Sequence, residues 1–417
     1  MFIALNKLKK QNIFFKELDF LNEKNFIVIF LYNSFLFLIL FLFKFQIILT
    51  NLYNFIISSL NLSLILNNFF FWHKNNTYIY ILIICLILLV CILIFIAFFT
   101  LYERKVMAFI QRRVGPNKVG FGFGQPFADG LKLLIKEIVF PKDAHIGFFI
   151  SSALISFLLS LFIWTLLPLN VYGSLLNPES GLLIILAISS LSAYGIIFAG
   201  WSSNSKYAFL GAIRSAAQMI SYEVVMSFIF MPAIILTNNI NLLYFSFQQQ
   251  YQTQFIYYTI PLFLFFLIIS LAECNRAPFD LPEAEAELVA GYNVEYSSMV
   301  FALFFLAEYS NMGAIGCVFI SLYWNNWLIN NNFCETYLND FFLAFNDYSF
   351  YNIIINSFLT SVKIVFICTL FVWVRATFPR YRFDQLMNIC WKILMPIIFC
   401  YLCYFFTIFS YSYFLNI

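Results

Sequence analysis

The chain has 417 residues, of which 63% are hydrophobic and only 10% are charged. A soluble domain has about 25% charged residues, so this composition excludes a soluble enzyme and is typical of a polytopic helical membrane protein. The net charge of +3 is too small to indicate a nucleic-acid partner.

Histidines and cysteines limit the cofactors that this chain can hold by itself. Neither of its two histidines, His73 and His145, lies within a predicted span, whereas a membrane haem needs paired axial ligands there. Cys400 and Cys403 form the only CxxC pair, inside the last apolar run and without further ligands nearby. Buried apolar cysteine is therefore preferred to a metal site, and no redox cofactor is expected in this chain alone.

Nine apolar runs predict nine transmembrane helices, because about twenty residues cross the hydrocarbon core of a bilayer. The predicted spans are 26–43, 78–100, 146–167, 182–201, 222–236, 256–272, 297–322, 353–374 and 391–413. The fifth span is short and is expected to be tilted or broken. Segment 55–71 is interrupted by Asn and Ser, so it is expected to lie at the membrane interface.

Basic residues are concentrated in alternate loops. Residues 1–25 contain five Lys and 101–145 contain eight Lys or Arg, whereas 168–181, 237–255 and 323–352 contain none. By the positive-inside rule, the basic loops face the cytosol or matrix, which puts the N-terminus inside and the C-terminus outside.

Residues 1–45 have two interpretations, a signal or transit peptide and a retained extra helix. A transit peptide is rich in Arg and poor in acids. This stretch has no Arg and contains Glu17, Asp19 and Glu23. A retained helix over 26–43 is therefore preferred.

The long basic loop predicts an element at the membrane surface. Glu103, Arg104 and Lys105 follow the second span directly, where charged side chains commonly extend to lipid headgroups. The run Gly120–Gly124 predicts a tight loop, and no phosphate loop, because no strand precedes it and no G-K-[ST] follows. Residues 127–137 then predict an amphipathic helix in the interface plane. Its apolar face consists of Phe127, Leu131, Leu134 and Ile135.

The segment 272–296 contains six acids and one base, on the side where positive charge is the rule. A structural explanation is partly adequate, because acids after Pro282 offset the dipole of a helix that begins there. Glu283 and Glu287, however, stand i, i+4 apart and repel one another, which a purely structural helix avoids. Neighbouring carboxylates can hold and exchange protons near neutral pH, so a functional role is preferred.

Other ionisable residues lie within the apolar runs themselves. Glu223 stands at the start of one span and Glu308 inside another. A charged side chain at the bilayer centre costs about 2.5–3.5 kcal/mol on insertion scales, so such residues are functional by default. Arg214 precedes Glu223 in a predicted loop, and Lys363 lies in the eighth span. Together these residues predict a chain of ionisable groups at membrane depth.

Seven motifs, in order over residues 80–415, resemble those of the family of core membrane subunit 1 of the proton-pumping NADH:quinone oxidoreductase, respiratory complex I. They are Glu103-Arg104-Lys105, Gly115-Pro116-Asn117, Gln125-Pro126-Phe127-Ala128-Asp129, Arg214–Gln218 with Ser221-Tyr222-Glu223, the segment 272–296, Ala307-Glu308-Tyr309, and Trp373–Met387. Residues 1–75 have no counterpart in the family, so they are expected to form an extension with the extra helix, and 76–417 the family domain. Phe383 stands where the family usually has Tyr.

The resemblance implies an all-α subunit with eight family spans on the membrane side of the ubiquinone chamber. Quinone would enter near 78–100, 127–137 and 297–322. The chamber and its entrance would involve Arg104, Arg113, Phe127, Asp129, Arg276 and Asp280. The proton path towards the antiporter-like subunits would consist of Glu223, Glu273, Glu283, Glu285, Glu287 and Glu308, with Arg214 beside it.

The resemblance also implies a location and partners. It places the chain in the mitochondrial inner membrane as a multi-pass protein, with ubiquinone as substrate. NADH, FMN and the iron–sulfur clusters would bind to partner subunits. The expected contacts are the hydrophilic quinone-site subunits, the small membrane-arm subunits, accessory subunits and lipids.

Two other functions stay open at this point. A related subunit of a membrane-bound hydrogenase would have a similar path without a quinone. The full set of chamber arginines, and an A/T-rich codon usage that 57 Phe and 25 Tyr indicate, favour the oxidoreductase. A stand-alone transporter often shows internal repeats, and the sequence contains none that we recognise.

Overall fold

The structure is a computed structural model that describes residues 70–169, 174–251, 255–280, 291–324 and 348–415. Throughout these ranges the chain forms helices and connecting turns, with no strand. Because the bilayer offers no hydrogen-bond partners to the backbone, a helix is the natural form for such apolar runs. The predicted class, a polytopic helical membrane protein, is confirmed.

Eleven α-helices are present in the described ranges. They are α1 (Phe70–Ile110), α2 (Gln125–Ile135), α3 (Ile146–Leu166), α4 (Gly181–Ser202), α5 (Lys206–Thr237), α6 (Leu242–Tyr251), α7 (Ile260–Glu273), α8 (Ser298–Phe319), α9 (Tyr348–Thr377), α10 (Phe383–Asn388) and α11 (Met395–Leu415). A π-helical segment, Ile320–Trp324, extends α8, and another, Ile389–Leu394, joins α10 to α11.

Seven membrane-capable segments, each long and apolar enough to cross a bilayer, occur in the described part of the chain. They are Cys85–Ile110, Ile146–Leu166, Gly181–Ser202, Lys206–Thr237, Ser298–Trp324, Asn356–Thr377 and Phe383–Ser410. Helix α7 is apolar but has only 14 residues. These eight segments correspond to the last eight predicted spans, whereas the predicted span 26–43 and interfacial segment 55–69 lie outside the described residues.

Helix α5 corrects the prediction of a short or broken fifth span. It is continuous over 32 residues, so Arg214 lies within a helix and not in a loop. Small buried residues such as Gly211 and Ala212 allow the first half of α5 to pack closely against neighbouring backbone. An added Cβ at Gly211 would come within 2.9 Å of Gly291. Tertiary packing therefore keeps this polar segment helical, although its hydropathy is too low to indicate a span.

Helix α1 corrects a second interpretation, that Glu103 and Lys105 reach out to lipid headgroups. The helix continues past the apolar run to Ile110. Glu103 is 3% exposed and Lys105 is 5% exposed, so both side chains point into the protein. Arg104 alone of the three is exposed.

The core lies between α1, α3, α4, α5, α7, α8, α9 and α11. Helix α3 packs against α4 and α8, and α5 packs against α4, α7 and α11. Aromatic side chains fill much of this core; for example, the rings of Phe266 and Phe319 stack with centroids 5.2 Å apart. The turn that follows α7 is held inside this arrangement, and it contains the residues from which the candidate site is built.

Candidate functional site

Glu103, Arg276, Tyr309 and Arg375 form a group within the protein that we call the carboxylate–arginine cluster. Glu103 comes from α1, Arg276 from the turn after α7, Tyr309 from α8 and Arg375 from the end of α9. The side chains of Glu103 and Arg276 are each 4% exposed. Four segments distant in sequence therefore meet at one carboxylate.

Glu103 is the centre of this cluster. Its Oε1 atom lies 3.7 Å from Arg276 Nη1 and forms an ion pair with Arg375. Its Oε2 atom accepts a hydrogen bond of 2.5 Å from the Tyr309 hydroxyl. The Arg276 guanidinium also lies over the Tyr309 ring, 4.2 Å from the ring centre. A carboxylate with this many charge-assisted contacts is held in one orientation.

A second group, the carboxylate pair, consists of Glu223 and Glu273 and lies between α4, α5 and α7. The Ser189 hydroxyl of α4 donates to Glu223 Oε1 over 3.4 Å and is also hydrogen-bonded to Glu273. The two carboxylates are close enough to repel one another. Ser189 therefore bridges two like charges, an arrangement that suits a shared proton.

The turn after α7 joins the two groups. Glu273 is the last residue of α7, and Arg276 follows three positions later, with both side chains buried. Cys274, between them, lies within electrostatic range of Glu273, Arg276 and Glu308. Glu308 in turn accepts a hydrogen bond of 3.3 Å from the Tyr292 hydroxyl. Three of the predicted path acids, Glu223, Glu273 and Glu308, are thus brought to one region.

At the surface, Arg104 of α1 holds the amphipathic helix α2. Arg104 Nη1 and Asp129 Oδ2 lie 2.6 Å apart in an exposed ion pair, and Gln125 also donates to Asp129. Phe127 contacts Phe98 of α1 edge to face, with centroids 6.4 Å apart. The predicted helix over 127–137 is therefore present as Gln125–Ile135, attached to α1.

The apolar face of α2 is turned outwards. Phe127, Leu131, Leu134 and Ile135 are between 58% and 82% exposed. This exposure is what an interfacial helix needs in order to contact acyl chains.

The remaining predicted site residues lie in other places. Asp280 is buried and pairs with Arg380 over 3.3 Å, which ties the turn after α7 to the segment before α10. Arg113 is exposed and bonds to Gln111, away from the carboxylate–arginine cluster. Arg214 lies nine residues before Glu223 on α5, about 13 Å along the helix axis. Glu283, Glu285 and Glu287 lie outside the described residues.

Several residues that the fold brings to the site receive no site role from the sequence. The sequence pattern assigns Glu103 to a helix end, and it treats Tyr309 and Arg375 as parts of motifs without a role of their own. The helical spacing that continues to Ile110 is a signal that could have placed Glu103 inside the protein. Ser189 is one of many serines in the apolar runs, and no local pattern distinguishes it. Within the described residues, no three His, Cys, Asp or Glu side chains form a group able to hold a metal ion.

Comparison with known proteins identifies the family. A family profile described as NADH dehydrogenase matches residues 83–406. NADH-ubiquinone oxidoreductase chain 1 of Cyanidium caldarium is 50% identical over 310 residues, which cover 73% of this chain and 85% of the relative. The protein of the same name from Arabidopsis thaliana is 49% identical over 311 residues, covering 73% and 90% respectively.

A bacterial relative extends the comparison. A membrane-complex protein of Rhodospirillum rubrum, named as one of the NADH-quinone oxidoreductase subunits, is 46% identical over 322 residues, which cover 76% of this chain and 90% of the relative. The residues matched by the family profile include all members of the carboxylate–arginine cluster and the carboxylate pair. The resemblance drawn from the seven motifs is confirmed. This chain belongs to the NADH dehydrogenase family and is a multi-pass membrane subunit of the NADH:quinone oxidoreductase, complex I.

Proposed function

We propose that this subunit forms the membrane side of a ubiquinone chamber and couples quinone reduction to proton translocation through buried carboxylates. The observation that carries this proposal is the turn after α7. It contributes Arg276 to the carboxylate–arginine cluster and Glu273 to the carboxylate pair, only three residues apart. A change of charge at one group is therefore felt at the other.

The carboxylate–arginine cluster is suited to respond to a quinone. Quinone reduction adds electrons and then protons to two carbonyl oxygens, and guanidinium and hydroxyl donors stabilise charge on such oxygens. Arg276, Arg375 and Tyr309 supply donors of this kind around Glu103. In a buried site of low dielectric, a new negative charge would redistribute the contacts that Glu103 now receives.

The carboxylate pair is suited to carry that response away from the chamber. Glu223 and Glu273 repel one another across Ser189, so their proton content depends on the charge nearby. Glu308 lies beside the same turn. We propose that Glu283, Glu285 and Glu287 continue this path, with Arg214 beside it.

The surface features support an entrance for quinone from the bilayer. The Arg104–Asp129 ion pair fixes α2 against α1, while the exposed apolar face of α2 contacts lipid. A long isoprenoid tail can enter between two such elements without leaving an apolar environment. Arg113 belongs to the exposed turn that borders this region.

We propose the mitochondrial inner membrane as the location. Electrons would come from NADH through the FMN and iron–sulfur clusters of partner subunits. Hydrophilic quinone-site subunits would cover the cluster, and small membrane-arm subunits would receive the proton path. Residues 1–75, with a ninth span over 26–43, would contact accessory subunits.

Replacing Glu273 by Gln tests the coupling role. The variant keeps the shape of the side chain but cannot exchange a proton, so NADH-driven quinone reduction and proton pumping should fall by about 100-fold, the lower range for groups that transfer protons. Glu179→Gln, an exposed position in the loop before α4, is the matched control and should behave as wild type. Assembly of the complex is checked by native electrophoresis. Wild-type turnover of an assembled Glu273→Gln complex would refute the coupling role.

A further inference from the structure

A small cavity lies beside the carboxylate pair, enclosed by α3, α4, α5, α7 and α8. It has a volume of about 20 Å³, and its polar lining consists of Ser160, Ser189, Ser192, Glu273 and Asn311. The rest of the lining is formed by Ile, Leu, Val and Met side chains. A polar cavity needs about 10–15 Å³ to accept one water molecule, so this one is large enough for a single water and too small for a larger ligand.

Two polar atoms at this cavity have no protein partner. Glu273 Oε2 and Asn311 Oδ1 are both buried, and neither makes a hydrogen bond to any group in the described part of the chain. Glu273 as a whole is 8% exposed. Buried polar atoms are almost always hydrogen-bonded, so an orphaned pair beside a water-sized cavity indicates a bound species.

The chemistry of the lining defines what that species must be. The Ser160 hydroxyl donates to the Phe157 carbonyl over 2.7 Å, and the Ser192 hydroxyl donates to the Ser189 carbonyl over 2.6 Å. Each hydroxyl has one proton, so these serines can offer a ligand only an acceptor lone pair. The cavity is therefore lined by acceptors, and its ligand must be a hydrogen-bond donor.

We propose that this cavity binds one water molecule that donates hydrogen bonds to Glu273 and Asn311, and that Asn311 is the positioning residue for this water. The inference rests on the proposed function, because it gives Glu273 a partner for proton exchange. The water accepts one proton for each proton that it releases, so its composition is unchanged. Asn311 holds its orientation without taking part in the transfer.

A map of the complex at a resolution that shows ordered waters tests the binding site directly. We expect one density peak within hydrogen-bond distance of both Glu273 Oε2 and Asn311 Oδ1. An empty cavity would refute the proposal, and so would a direct hydrogen bond between the two side chains. A peak with the coordination shell of a metal cation would also overturn it, since that occupant is not a hydrogen-bond donor.

Variants of Asn311 test the positioning role in the assembled complex. Asn311→Leu removes the acceptor, and we expect kcat for quinone reduction to fall by about three- to tenfold, the range of one hydrogen bond, with KM for quinone unchanged. Asn311→Asp keeps an oxygen in place and should retain turnover within about twofold of wild type. Asn356→Leu is the matched control, because Asn356 is also a buried asparagine with an orphaned Oδ1, but it lies outside the cavity.

The outcomes separate the water site from the proton path. If Asn311→Leu matches Asn356→Leu in kcat while Glu273→Gln is impaired, the path stands and the water assignment fails. If Glu273→Gln also turns over as wild type, the proposed path itself fails. A raised KM for quinone in Asn311→Leu would place the effect in the chamber and overturn the positioning role.

Discussion

Arg276 Nη1 lies 3.7 Å from Glu103 Oε1, which connects the turn after α7 to the first membrane helix of the family domain. The contact is buried on both sides, so it is only weakly screened by solvent or salt. It also makes the position of the acidic turn depend on the ionisation of a single carboxylate. This dependence is the physical basis for the coupling that we propose.

The first prediction concerns Glu103. Glu103→Gln leaves two guanidinium groups without their carboxylate, and removing one partner of such a buried network costs about 3–5 kcal/mol. Tyr309→Phe removes only one hydrogen bond to a charged group and should cost about 1.5–3 kcal/mol. Thermal inactivation of the detergent-solubilised complex should therefore rank wild type above Tyr309→Phe, and Tyr309→Phe above Glu103→Gln. Equal inactivation temperatures for the two variants would contradict a central role for Glu103.

The second prediction concerns the entrance. Ala128 lies on α2 beside the Arg104–Asp129 contact and is partly buried, so Ala128→Trp should narrow the passage between α1 and α2. Quinones with long tails should lose more kcat/KM than short-tailed analogues, because only the tail must pass α2. Gly130→Trp is the control, since Gly130 faces open space on the same helix. An equal loss for both tail lengths in Ala128→Trp would argue against an entry role.

The third prediction concerns the close approach of α5 to the turn at 291–293. Gly211→Ala would bring a Cβ to 2.9 Å from the Gly291 backbone, and overpacking of this kind costs about 1–3 kcal/mol. Gly147→Ala adds the same methyl group to α3, where nothing lies within 4 Å, and should be neutral. The measurement is the amount of assembled complex that survives a heat step. Similar survival of both variants would show that this contact yields easily.

The fourth prediction concerns the acidic segment. Glu283→Gln or Glu287→Gln removes half of an i, i+4 pair of like charges, so each variant should assemble while proton pumping per NADH oxidised falls. The exposed Glu179→Gln variant again serves as control. Pumping and quinone reduction at the wild-type level in both variants would remove these residues from the proton path.

Hydropathy alone was sufficient for the membrane architecture. A lipid environment leaves an apolar segment of about twenty residues no alternative to a helix, so eight of the nine predicted spans coincide with helices, and the ninth lies outside the described residues. The amphipathic helix α2 was also predictable, because its apolar residues repeat with the helical period. Glu223 and Glu308 were recognisable as functional candidates from their position in apolar runs.

Packing between distant segments decided the rest. No local pattern distinguishes Ser189 from other serines, or shows that α1 continues until Glu103 faces Arg276 and Arg375. The same holds for α5, whose polar first half is helical because small residues such as Gly211 let it pack against the Gly291 turn. A carboxylate's role depends on which charges and donors surround it in three dimensions. The sequence could therefore nominate the acids, but only the tertiary structure showed which of them share a bridge, a turn or a cavity.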